Sequence, residues 1–143
     1  MADKLASTGK QVRLGELAPE DREQLKLILE LIAEKKGEGT VILDLRGFTL
    51  PTSYFVITEG QSEKQVEAIA ENILEKFPGP PPLEEGLDTK NWVVLDFGHF
   101  MVHIFQPETR RFYDLEGLWG EVEIDLDTDA ETDTDDEPPS SEG

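Results

Sequence analysis

Two apolar runs, WVVLD at 92–96 and FMVHIFQ at 100–106, stand only three residues apart. Phe97, Gly98 and His99 leave room for a tight turn and for nothing larger. The spacing predicts an antiparallel hairpin with Gly98 in the turn. A chain that contains this hairpin must supply further strands and an apolar layer to bury its faces.

The upstream sequence supplies them. Leu25, Ile28, Leu29 and Ile32 recur at helical spacing, Pro19 suits a first helical position, and Lys35, Lys36 and Gly37 form a stop; this predicts a helix over 19–36. TVILDLR, 40–46, and YFVIT, 54–58, are predicted strands on either side of a loop at 47–53. Ser62 and Gln65 form an S-x-x-Q capping box ahead of the stripe Val66, Ile69, Ala70, Ile73 and Leu74, which predicts a second helix over 63–77. Pro78, Pro80, Pro81 and Pro82 end it. Arg111 to Tyr113 is taken as a last short strand and LEGLWG, 115–120, as a closing turn or short helix. A strand–helix–strand unit implies some parallel pairing, whereas the hairpin is antiparallel. The expected class is therefore α/β (α+β), with a mixed β-sheet of about five strands and two main helices.

The expected domain limits are a flexible arm at 1–18, one domain at 19–120 and an acidic disordered tail at 121–143. The tail carries 11 acidic side chains and no basic ones. The whole chain has 13 basic and 32 acidic residues for a net charge of −19, so the body alone stands at −8. Such a body is poorly suited to gripping phosphates and well suited to a basic protein surface. The absence of cysteine excludes disulfides and thiolate chemistry and fits a cytoplasmic location. No apolar run reaches membrane-spanning length and the N-terminal residues have no apolar signal core, so neither membrane nor secretion is expected.

Several stretches tempt a chemical reading. Asp96-Phe97-Gly98 matches the magnesium-holding tripeptide of protein kinases, but the Gly-rich loop, strand lysine and catalytic loop of that reaction are missing. His99 and His103 are the only histidines; along a strand they would lie roughly 13 Å apart, too far to share a metal. Gly60-Gln61-Ser62 resembles the Gly-Ser of nucleotidyltransferases, yet WVVLD offers only Asp96 where two spaced carboxylates are required. Ser62 is read as a helix cap and Asp44 as a partner of Arg46 or of solvent. No metal and no cofactor are expected. Aromatic residues concentrate around the hairpin, framed by Trp92 and Trp119, and tryptophan and tyrosine are favoured interface anchors. Binding is favoured over catalysis. His103, polar among apolar neighbours, is expected to mark the less deeply buried side of its strand.

ILDLRG (42–47), YFVITEGQSEKQVEAIAENI (54–73) and NWVVLDFGHFMVHIFQPETRRFYDLEGLWG (91–120) resemble the ribosomal silencing factor family, also called the RsfS or Iojap-related family. The resemblance spans about 19–120. Its most specific part is 92–119, where W-V-x-L-D-x-G, V-H-x-F and R-x-F-Y-x-L-E-x-L-W follow in order. It implies a nucleotidyltransferase-like fold without catalytic residues. It implies binding to the large (50S) ribosomal subunit through large-subunit ribosomal protein fourteen, with nearby rRNA as a weak contact. A chain so placed keeps the 30S subunit from joining and represses translation when nutrients are scarce. The resemblance also implies a homodimer when free, and organellar relatives act in large-subunit assembly.

The residues it assigns to the partner are Trp92, Asp96, His103, Tyr113, Leu118 and Trp119. Trp92, Leu118 and Trp119 would be apolar anchors, His103 a central donor or acceptor, and Asp96, with Glu116 near it in sequence, would meet a partner's Arg or Lys. Ser53 and His99 stand where many members carry Asp, and FTLPTS differs from the usual loop. The alternatives are a large-subunit assembly factor using the same face, or a magnesium-dependent nucleotidyltransferase resting on Ser62, Asp44 and Asp96.

Overall fold

The hairpin forms as the spacing predicts. In the computed structural model, which describes residues 11–119 and 122–126, strands β4 (Trp92–Asp96) and β5 (Phe100–Phe105) pair antiparallel. Gly98 turns the chain at φ 89°, in the left-handed region that glycine enters freely. Asp96 Oδ1 accepts the Gly98 N–H at 2.8 Å, an Asx turn that closes the loop.

Helix α1 (Pro19–Glu34) precedes strands β1 (Glu38–Asp44) and β2 (Tyr54–Glu59), and helix α2 (Glu63–Lys76) follows them. Strand β3 (Leu83–Glu85) then leads into the hairpin, and two short helices follow it: α3 (Pro107–Tyr113) and α4 (Leu115–Trp119). The sheet order is β1-β2-β5-β4-β3, with β2 and β5 parallel and every other pair antiparallel. The class is the expected one, a mixed five-stranded sheet packed with helices.

Two elements differ from expectation. Residues 111–113 are the end of α3 rather than a strand. Pro107 opens that helix, Glu108 sits at the positive end of its dipole and Arg110 and Arg111 at the negative end. The fifth strand is instead β3, whose three residues are all exposed and show no apolar signature; β4 supplies its pairing.

One face of the sheet carries the main core. Leu25, Ile28 and Ile32 of α1 and Val66, Ile69 and Ile73 of α2 pack on Ile42, Tyr54, Val56, Val93, Leu95, Val102 and Ile104. Each such side chain contributes roughly 1.5–3 kcal/mol by leaving water. The α1 stripe turns slightly from its expected course, burying Leu31 while Leu29 is only half-buried. Ser62 Oγ caps α2 by accepting the Gln65 N–H at 3.1 Å. The Gln65 side chain does not complete the box; its amide donates to the last carbonyls of the α1 region, Lys35 O and Lys36 O. Gly37 must lack a side chain, because a Cβ there would lie 2.4 Å from Ile32 Cγ2.

Both expected boundaries move outward. Leu14 and Leu17, assigned to the flexible arm, are buried in the main core. Residues 122–126, assigned to the tail, run beside β1: Val122 O accepts the Asp44 N–H at 2.8 Å and the Ile124 N–H donates to Ile42 O at 2.7 Å. Leu14 and Val12 bond in turn to Asp125, and Ile124 is buried. The signal was present in EVEIDL as Ile124 and Leu126, apolar side chains alternating with acids. The remainder of the arm and tail, 1–10, 121 and 127–143, lies outside the described residues.

Candidate protein-binding face

Alternation along the strands sends Trp92, Val94 and Asp96 of β4, Met101, His103 and Phe105 of β5, and Phe55 and Ile57 of β2 to the other side of the sheet. A second, smaller core covers part of it: Leu43, Leu45, Ile57 and Phe105 with Trp92, Leu115, Trp119 and Val122. Helices α3 and α4 cap this portion. Phe55, Trp92, Val94, Asp96 and Met101 are left only half-buried.

The centre of the face is aromatic. Trp92 stacks on Phe105 at 4.8 Å between ring centres and touches Tyr113 at 4.7 Å. Its Nε1–H donates to His103 Nδ1 at 3.0 Å. The Phe55 ring stands edge-on to His103 at 4.5 Å and to Trp119 at 6.3 Å, and Phe48 stands edge-on to Trp119 at 5.0 Å. His103 is only 4% exposed, so it is not on a less buried side as expected; Trp92, Phe55 and Phe105 surround it. Burial pushes its pKa down to about 4, with the Asp96 carboxylate pulling weakly the other way. The ring is therefore neutral near pH 7, and the bond from Trp92 leaves its proton on Nε2.

Arg110 holds the α3–α4 corner against the sheet. Its guanidinium donates to Glu116 through Nη2 at 2.6 Å, to Glu59 through Nη1 at 3.2 Å and to Gly39 O through Nη2 at 2.7 Å. Gly39 is required for this approach: its φ is 59°, and a Cβ would meet Arg110 Nη1 at 2.9 Å. Asp114, at φ 48°, turns the chain between the two helices, and its carboxylate accepts the Gly117 N–H.

The structure thus brings Trp92, His103 and Tyr113 into one contact group and sets Trp119 on the far side of Phe55. Asp96 lies on the same sheet face. Tyr113 and Leu118 are 51% and 71% exposed on the short helices. Glu116 departs from its expected role beside Asp96, because Arg110 already holds its carboxylate. Outside the six residues assigned to the partner, Phe48, Leu50 and Phe112 are large apolar side chains that also stand exposed, Phe112 at 80%. The RRFYDLEGLW run could have flagged Phe112, had it been read as a helix rather than a strand.

The residues of the nucleotidyltransferase alternative are scattered. Asp44 and Asp96 lie on opposite faces, with β2 and β5 between their strands, roughly 14 Å apart by strand spacing alone. Asp44 is held by Arg46 at 2.8 Å and Ser62 caps α2. His99 bonds to Asp21 of α1 at 2.9 Å, on the opposite side of the sheet from His103. Among the described residues no three His, Asp or Glu side chains gather as a metal site, and no helix is long and apolar enough to cross a membrane.

Fold and face together define a small α/β domain with its two long helices on one side of its sheet and, on the other, an aromatic surface that two short helices cover only in part. The chain belongs to the ribosomal silencing factor (RsfS) family: the family described as "Ribosomal silencing factor during starvation" matches residues 18–143. The ribosomal silencing factor RsfS of Halalkalibacterium halodurans is 38% identical over 105 residues, 71% of this chain and 89% of that protein. A more distant relative, the mouse "mitochondrial assembly of ribosomal large subunit protein 1", is 27% identical over 101 residues, 66% of this chain and 44% of its own. A crystal structure of a protein from Chromobacterium violaceum superimposes with a TM-score of 0.66 at 31% identity, covering 69% of this chain and 85% of that one.

Proposed function

We propose that this chain binds the large ribosomal subunit through large-subunit ribosomal protein fourteen, and that a chain seated there keeps the small subunit from joining. The observation that carries the reading is the partly open aromatic face around Trp92, His103, Tyr113 and Trp119, on a body of net charge −8. A half-desolvated aromatic patch is the kind of surface that forms interface hot spots, and an acidic body steers it toward a basic ribosomal protein. Leu118 and Tyr113 extend the patch as exposed anchors, and Asp96 offers a carboxylate at its rim. The setting is the cytoplasm, rRNA is at most a weak neighbour of so acidic a chain, and a homodimer of the free protein would compete for the same face.

Sedimentation of purified large and small subunits with and without the chain tests this. Saturating protein should reduce the joined-ribosome peak and co-migrate with the large subunit; an undiminished peak refutes the blocking role. The mouse relative's name supports a second reading, an assembly factor on the same surface. Precursor particles accumulating in a deletion strain, with subunit joining unaffected by added protein, would favour that reading.

A further inference from the structure

Among the described residues, two donors on this face have no acceptor. Trp92 occupies Nδ1 of His103, so the neutral ring carries its proton on Nε2. That Nε2 and the Nε1–H of Trp119 are both buried and, among the described residues, without a partner. They belong to rings that flank Phe55 on two sides. A buried N–H without an acceptor has given up its bond to water and received nothing in return, and native interiors seldom leave such groups.

The chemistry of the missing acceptor follows from charge. A cation has no use for an N–H. An anion would enter beside the Asp96 carboxylate, on an acidic body, toward a ring that carries no charge. A neutral carbonyl oxygen meets neither objection. Beside them lies α4, a helix of five residues whose Leu115 and Trp119 rest on the smaller core and whose Glu116 is tied to Arg110.

We propose that His103 Nε2–H and Trp119 Nε1–H are the polar specificity determinants of this face, and that they take main-chain carbonyl oxygens of the partner protein as α4 and Phe55 shift to admit them. The inference rests on the reading that this face docks the ribosomal protein. It predicts opposite signs for stability and binding. Trp119→Phe removes a bare donor while keeping an aromatic ring, so the full chain should unfold at a slightly higher temperature. The same variant should bind purified large subunits about three- to tenfold more weakly, the worth of one hydrogen bond.

A fall in both quantities would show that the indole merely packs, and unchanged binding would show that the donor is unused; either overturns the proposal. A second readout is the imidazole and indole N–H resonances of the labelled chain, titrated with purified large-subunit ribosomal protein fourteen. Both should move downfield. If neighbouring face residues shift while these two do not, the proposal falls and the docking reading stands. If the unmodified chain binds no large subunit, the docking reading falls and takes the proposal with it.

Discussion

Arg110→Met tests whether the α3–α4 corner is held as the structure shows. The guanidinium makes three kinds of bond at once, to Glu116, Glu59 and Gly39 O, and its side chain is only 12% exposed. Breaking a fully buried pair by removing one partner costs about 3–5 kcal/mol, whereas exposed pairs are worth about 0–1. Here both carboxylates keep some access to water, so they rehydrate when the cation leaves. The expected loss is about 2–3 kcal/mol, which for a domain of this size lowers the thermal midpoint by roughly 6–9 °C.

Gly39→Ala should damage the same clamp from the other side. It adds about 1 kcal/mol of left-handed backbone strain and also displaces the guanidinium. In the double variant only the strain remains, so the two losses should fall short of additivity by more than about 0.5 kcal/mol. Urea unfolding of the four proteins measures this. A loss below about 0.5 kcal/mol for Arg110→Met, or strict additivity with Gly39→Ala, would refute the clamp.

Three further outcomes are expected. Trp92→Phe strands the buried Nδ1 of His103 and should cost about 1–2 kcal/mol in urea unfolding. Because the folded chain holds the His103 pKa near 4, below the ordinary value of about 6.5, the unfolded chain takes up a proton first as pH falls. This contribution is fully present above about pH 6.5, is lost as pH falls toward 4 and levels off below it, up to about 3 kcal/mol in total; His103→Phe should flatten that part of the stability profile. Removing residues 122–143 deletes Ile124 and the bonds to β1, and should lower the unfolding midpoint in a thermal melt.

Much of the fold was legible because its elements announce themselves. The hairpin follows from a three-residue gap, α1 and α2 from apolar spacing, and the α2 cap from Ser62. What escaped detection depends on neighbours rather than on local pattern. β3 exists because β4 offers an edge, and nothing in Leu83-Glu84-Glu85 demands a strand. Residues 11–17 and 122–126 read as loose because their burial comes from each other, from the main core and from β1, largely over separations no window can span. The site was partly legible for the same reason. The tryptophans, Asp96 and His103 could be picked from composition and resemblance, but the depth of His103 comes from Phe55 on another strand. The diversion of Glu116 comes from an arginine that also needs a side-chain-free residue at position 39.

The segment at 122–126 has a consequence for how the molecule behaves in a crowd. An open sheet has two margins where a stray strand could zip on. Here one margin is occupied by the chain's own C-terminal segment along Ile42 to Asp44, and farther along it Gly39 O is taken by Arg110. The other margin is three residues long, and two of them are Glu84 and Glu85. Short length and like charge are the devices by which sheet proteins resist fibre-like growth. With both margins blunted, the open aromatic surface can stay exposed for its partner without the sheet beneath it becoming a template for aggregation.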